Sequence, residues 1–157
     1  MNKIPMTSSG YEKLQEELKK LINEDRPNII AAIAEARSHG DLSENAEYQY
    51  AKEQQSLIEG KIQDLESTSG LAEIIDVSQL SGKEIKFGAT IEIEDNDSGI
   101  KSKYQIVGEY ESDINNKKLS INSPLARGLI GKTKDDIVEV VSPKGTKSYS
   151  VLSVKFI

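Results

Sequence analysis

The sequence predicts an α+β protein: an antiparallel helical hairpin of coiled-coil type, then a small, mainly antiparallel β-domain with one short helix. Three observations carry this. Apolar or small residues recur mostly at steps of three and four in two runs, Tyr11 to Ala36 and Tyr48 to Leu65. After about residue 77 they alternate in twos, as on a half-buried strand. Between the two helical runs lies a short Gly-containing segment, which favours helices that fold back on each other.

The first helix is predicted from a cap at Thr7 to about Ser38. Its stripe reads Tyr11, Leu14, Leu18, Ile22, then Ile29, Ala32 and Ala36. Leu14, Leu18 and Ile22 are separated by two successive steps of four, a stutter that locally unwinds a supercoil. Asp25 interrupts the stripe, and Pro27 is expected to kink the helix or remove a hydrogen bond. The second helix has the cleaner pattern. Tyr48, Ala51, Gln55, Ile58, Ile62 and Leu65 form a heptad seam with one polar position. Gly60 costs about 1 kcal/mol without ending it, and Gly70 is the expected C-cap. At about 30 residues per helix the rod would be roughly 45 Å long.

The expected boundary lies within residues 70–80, giving a hairpin domain at 1–76, with its tip near 38–45, and a β-domain at 77–157. In the second, Thr90 to Glu94 alternates as a strand, and Asp95-Asn96-Asp97-Ser98-Gly99 reads as a turn. Tyr104 to Val107 and Leu119 to Ile121 read as further strands. Ser123 caps a short helix with Pro124 at its first position. Ile137 to Val141 and Tyr149 to Leu152 close the domain as a hairpin around Pro143-Lys144-Gly145.

Composition narrows the function. There is no Cys, which excludes disulfides and thiolate metal sites. No apolar run reaches the length of a signal peptide or a membrane span, so a cytoplasmic protein with no membrane partner is expected. The net charge of −6 is uneven. Residues 1–76 hold 8 Lys and Arg against 15 Asp and Glu, while residues 77–157 hold 12 against 11. An acidic first half argues against a nonspecific grip on nucleic acid, which needs cations against phosphate. It suits an element drawn to a cationic or metal-bearing site, although acidic solvated helix faces are common.

The tip holds the chemistry-bearing residues. Asp41 and Glu44 are three apart and would share a face if the second helix has begun there. They also read as a capping box, with Ser43 a second candidate cap. Mg²⁺ takes one or two protein carboxylates and fills its shell with water and phosphate oxygens. Two acids on a rod tip lack a pocket of their own but could complete a site owned by a partner. His39 is the only histidine and reads as a solvated turn residue. Arg37 and Lys52 flank the tip, as surface charge or as phosphate contacts. No phosphate-binding Gly loop, nucleophile elbow or Cys/His ligand set is present.

The segment Ala36-Arg37-Ser38-His39-Gly40-Asp41-Leu42-Ser43-Glu44-Asn45-Ala46-Glu47-Tyr48, with Ala51-Lys52-Glu53-Gln54-Gln55, resembles the signature of bacterial Gre transcript cleavage factors. Ser123 to Lys132 resembles their C-terminal signature, so the resemblance spans nearly the whole chain. The sparse basic residues of the first half match the less basic branch of that family. The resemblance implies an FKBP-like β-domain that docks on RNA polymerase beside its secondary channel, and a hairpin that enters the channel. Asp41 and Glu44 would help bind a shared Mg²⁺ in the polymerase active centre and activate water. The polymerase would then cleave the 3′ end of its own nascent RNA in a backtracked, arrested complex, and elongation would resume. The protein would be a cofactor to the polymerase rather than an enzyme, with no cofactor stably bound alone, acting as a monomer.

By the same resemblance Gly40, Leu42, Ser43 and Asn45 form the turn that presents the acids. Arg37 and Lys52 face RNA, and Ser120, Asn122 and Pro124 contribute to polymerase docking. Asn122 stands where some members carry Asp. The FKBP-like architecture does not imply prolyl isomerase activity. Rival readings are an inhibitory paralogue in the same channel, a helical adaptor whose tip acids only cap, and an independent metal-dependent nuclease. The tip acids disfavour the first, and the missing pocket disfavours the last.

Overall fold

A computed structural model describes residues 3–40 and 45–157. The chain divides into two compact units. One comprises residues 11–72, and the other residues 3–10 together with 73–157.

The first unit is the helical hairpin. Helix α1 (Ser8–Lys20) continues through a π turn (Leu21–Asp25) into α2 (Arg26–Arg37), and α3 (Ala46–Leu71) returns alongside. Links from Gln15 to Ser69, Arg26 to Glu59 and Ala36 to Asn45 run in opposite chain directions, which makes the pair antiparallel. Thr7 caps α1 as expected, its Oγ1 accepting from the Gly10 amide at 3.1 Å. In α3 the expected seam is found. Ala51, Ile62 and Leu65 are buried, and Tyr48, Gln55 and Ile58 are half-buried. The end of α3 differs from expectation. Gly70 lies inside the last turn, and Ala72 is the C-cap, its amide bonding back to Ser69 O.

The stripe on the first strand of the hairpin also differs. Tyr11, Leu14, Leu18, Ile22, Ile29 and Ala36 are buried or half-buried as expected, but Leu21, Asp25, Arg26 and Ile33 join them, and Ala32 is exposed. From Asp25 a regular alternation of three and four would continue to 28, 32 and 35, so the observed stripe runs one residue late. The π turn accounts for the shift. The Arg26 amide bonds to Leu21 O, a step of five, which inserts one residue into the helix. The disturbance expected at Pro27 thus coincides with the π turn just before it, and the helix runs on through Pro27 into α2.

In the second unit β1 (Ile4–Thr7) pairs with β2 (Ala72–Ile75). A separate five-stranded sheet is built from β3 (Thr90–Asp95), β4 (Lys101–Val107), β5 (Lys118–Ser120), β6 (Ile137–Ser142) and β7 (Gly145–Lys155). Its order is β5-β4-β3-β7-β6, antiparallel except for the β4–β5 pair. Helix α4 (Pro124–Leu129) is capped by Ser123, whose Oγ accepts from the Ala126 amide at 3.2 Å. The turn after β3 is held by Asp95, which accepts from the amides of Asp97 and Ser98. Those backbone donors, the Asp97 amide foremost, hold its carboxyl below the ordinary value.

The core of this unit is aliphatic. Ile91 and Ile93 alternate inward on β3 and meet Ile106, Leu119, Leu129, Val138 and Val151. A bulge adjusts β7 to this face. Glu92 pairs with Ser153 but Ile93 pairs with Val151, so Leu152 is skipped. Val151 and Val154 are three apart and would point to opposite faces of a regular strand; the bulge lets both reach the core.

Residues 3–10 are fixed here by one carboxylate. Glu111 lies in a short 3₁₀ turn (Glu109–Glu111) and accepts from the Thr7 amide at 3.0 Å, from Thr7 Oγ1, and from the Gly108 amide at 3.1 Å. The backbone of β1 passes so close that a Cβ on Gly108 would lie 2.2 Å from Pro5 O. Gly108→Ala is therefore expected to destabilise the sheet unit by about 1–3 kcal/mol, read by thermal or urea unfolding; an unchanged midpoint would contradict this packing.

Candidate functional site

The candidate site is the turn of the hairpin. Helix α2 ends in a tightened turn, with Ser38 N bonded to Glu35 O at 3.0 Å and His39 N to Ala36 O at 3.2 Å. Gly40 follows at φ +129°, a conformation that a side chain would disfavour. The two acids Asp41 and Glu44, with Leu42 and Ser43, lie outside the described residues. The chain re-enters at Asn45 with extended backbone, φ −83° and ψ 101°, and α3 starts at Ala46.

Asn45 is the N-cap of α3, a correction to the expectation that Asp41 or Ser43 fills that position. Its Oδ1 accepts from the Tyr48 amide at 3.0 Å. Its Nδ2 donates to Ala36 O at 2.6 Å, reaching across to the last turn of α2. One side chain thus satisfies an orphan amide of one helix and an end carbonyl of the other. The start of α3 needs no capping carboxylate.

Among the described residues two further links cross the same turn. The Arg37 guanidinium lies 5.9 Å from the centroid of the Tyr48 ring, within cation–π range. His39 Nδ1 is 2.8 Å from Glu47 Oε2, so the histidine read as merely solvated has a carboxylate partner. Ala36 and Ala51 are buried, and their small side chains let the helices approach closely behind the turn.

Arg37 and Lys52, on opposite helices, line one shallow groove with Tyr48 and Gln55. Lys52 Nζ donates to Gln55 Oε1 at 3.2 Å, which leaves both cationic heads at the surface. The structure therefore brings together two basic residues that the sequence only placed on either side of the tip.

Farther along the hairpin Arg26 and Glu59 form an exposed two-pronged pair, Nε to Oε2 at 2.9 Å and Nη2 to Oε1 at 2.8 Å. The hydrogen bonds from Arg26 hold the Glu59 carboxyl below its ordinary value, and the guanidinium is shifted upward in turn.

The other sequence-nominated residues lie in the sheet unit. Ser120, at the end of β5, accepts from the Asn122 amide at 3.2 Å through its Oγ. The Asn122 side chain donates to Glu109 Oε2 at 3.2 Å, and Pro124 opens α4. Asn122 and Pro124 are exposed.

Among the described residues no three His, Cys, Asp or Glu side chains cluster as metal ligands. No helix among them is long and apolar enough to cross a membrane.

Two family models cover the chain: "Transcription elongation factor, N-terminal" over residues 4–74 and "Transcription elongation factor, GreA/GreB, C-term" over residues 80–156. The chain belongs to the GreA/GreB transcription elongation factor family. Similar proteins include the transcription elongation factors GreA of Caulobacter sp. (strain K31), 52% identical over the full length of both chains, and of Chelativorans sp. (strain BNC1), 55% identical over 99% of each. GreA of Rickettsia conorii is 55% identical over 98% of this chain and 95% of its own. All three of these relatives are named GreA. A solved structure, GreA factor homolog 1 of Thermus thermophilus, aligns over 98% of this chain and 99% of its own at 26% identity, with a TM-score of 0.46.

The Arg26–Glu59 pair gives a pH test. Because the Glu59 carboxyl is depressed in the folded hairpin, its contribution is fully present above the unfolded carboxylate value of about 4. It is lost as the pH falls through the lower folded value. Thermal unfolding between about pH 7 and pH 2 is expected to show a small acid-labile component that Glu59→Gln removes; equal acid slopes for both proteins would assign the pair no role. The component is small because both groups face water.

Proposed function

We propose that this protein rescues arrested transcription by stimulating RNA polymerase to cleave the 3′ end of its nascent RNA. The observation that supports this best is a family match running from residue 4 to residue 156, joined to a hairpin whose turn carries Asp41 and Glu44. In this reading the hairpin is a coiled coil that enters the secondary channel of the polymerase. The sheet unit is FKBP-like and docks outside the channel through the surface around Ser120, Asn122 and Pro124. The protein acts in the cytoplasm as a monomer and is not an enzyme by itself.

The donor set fits a shared Mg²⁺. Two carboxylates within four residues supply hard oxygen ligands, and the chain has no thiolate to favour a softer metal. When bound, Mg²⁺ would lower the pKa of a coordinated water and offset charge on the phosphodiester. Asp41 and Glu44 would hold that ion against the polymerase's own ligands and orient the water in line with the scissile bond. Water attacks phosphorus, the P–O3′ bond breaks, and the upstream RNA keeps a new 3′ hydroxyl. Arg37 and Lys52, on one groove below the tip, would pair with phosphates of the displaced 3′ segment.

A backtracked polymerase complex with end-labelled RNA tests this. The wild-type protein with Mg²⁺ is expected to shorten the RNA rapidly. Asp41→Asn/Glu44→Gln is expected to bind the complex equally but slow cleavage by about a hundredfold or more. Binding without shortening would favour an inhibitor or adaptor. Equal shortening by both proteins would remove the two acids from the mechanism, and RNA hydrolysis without polymerase would make the protein a nuclease.

A further inference from the structure

We infer that Asn45 is a positioning residue for transcript cleavage, acting through its bond to Ala36 O rather than through its helix cap. The inference rests on the reading above and adds to it the device that fixes the mount of the tip.

The Asn45 amide performs two separable tasks. Its oxygen caps α3 through the Tyr48 amide, a task that Ser or Thr can also perform. Its nitrogen reaches Ala36 O, which also accepts from the His39 amide. Only the second bond ties α3 to α2. It closes the loop at residue 45, one peptide bond from Glu44, while the tightened turn at Ser38 and His39 fixes the chain just before Gly40. The other crossing links cannot replace it. The His39–Glu47 pair is exposed on both sides, and the Arg37–Tyr48 contact is one of long side chains. The bond from Asn45 is part-buried and ends on backbone, so it constrains the main chain directly.

Loop closure by a main-chain contact limits where the intervening residues can go, and misplacement of a catalytic group by about 1 Å can cost a hundredfold in rate. Neither Ser nor Thr carries a donor long enough to reach Ala36 O while its oxygen caps Tyr48. The prediction is therefore a variant that folds, binds polymerase and cleaves poorly.

Asn45→Ser and Asn45→Thr would be compared with wild type in the backtracked complex at saturating factor, with helicity and melting temperature measured alongside. Both are expected to stay folded with a melting temperature lowered by only about 5 °C, to keep polymerase affinity, to cleave about tenfold more slowly, and to need more Mg²⁺ for half-maximal rate. A purely structural role would lower polymerase affinity, restore the wild-type rate at saturating factor, and leave the Mg²⁺ dependence unchanged; that result overturns the inference. Wild-type rates and Mg²⁺ dependence in either folded variant overturn it as well. If wild type itself leaves the RNA intact, the functional reading falls and this inference with it. Cleavage by wild type with equally active variants removes Asn45 alone.

Discussion

Two helices share an apolar seam only while their stripes stay in phase, and this constraint governs the hairpin. Helix α3 keeps a regular heptad from Tyr48 to Leu65. The opposing strand carries Asp25 and Pro27 in mid-course and cannot do so with a plain α-helix. The π turn at Leu21–Asp25 inserts one residue, so Ile29, Ile33 and Ala36 face inward in place of residues 28, 32 and 35. The two-pronged Arg26–Glu59 pair stands immediately after the insertion and links the helices beside Asp25. Nearest the tip the buried seam residues are Ala36 and Ala51, and one Asn side chain spans the two helices there.

That span changes how the tip acids are to be understood. In isolation Asp41-Leu42-Ser43-Glu44 is an adequate helix start, and capping would be sufficient reason for both carboxylates. With Asn45 as the cap, the capping task is already met by a neutral residue. A carboxylate used as a cap spends its lone pairs on backbone amides and is a poorer ligand for a cation. The N-cap position of α3 is thus filled without drawing on either carboxylate. Farther from the turn Arg37 and Lys52 share one groove between the helices.

Much of this was legible in the sequence, and the failures have local causes. The α3 heptad, the Thr90–Glu94 alternation and the Ser123-Pro124 helix start each rest on contacts between near neighbours, which spacing reports directly. The phase of the first strand was not legible. Leu14, Leu18 and Ile22 at steps of four describe a stutter and a π insertion equally well, and Ala32 and Ile33 are adjacent apolar residues. The cap was ambiguous because Asp41, Ser43 and Asn45 are all good caps within five residues, and the bond that decides it comes from the other helix. Strands β1 and β2 left no trace. Each has four residues, one contains Pro5, and they pair across more than sixty positions, beyond the reach of a periodicity argument.

The role of Thr7 shows why a division read along the chain differs from the one made by contacts. Its Oγ1 accepts from the Gly10 amide as a helix cap, and the same residue donates to Glu111, 104 positions away. The N-terminus of α1 is positive, and the Glu111 carboxylate lies against it as a complementary charge. The first turn of the helix and the 3₁₀ turn at Glu109–Glu111 therefore depend on each other. A chain cut after residue 76 would keep the β1–β2 pair but would strip Thr7 of the acceptor that holds its amide and its hydroxyl. Asn122, in the segment nominated for docking, bonds to Glu109 in that same turn. The surface around Asn122 and the start of α1 are thus built on a single structural element, Glu109–Glu111, and a substitution there would disturb both.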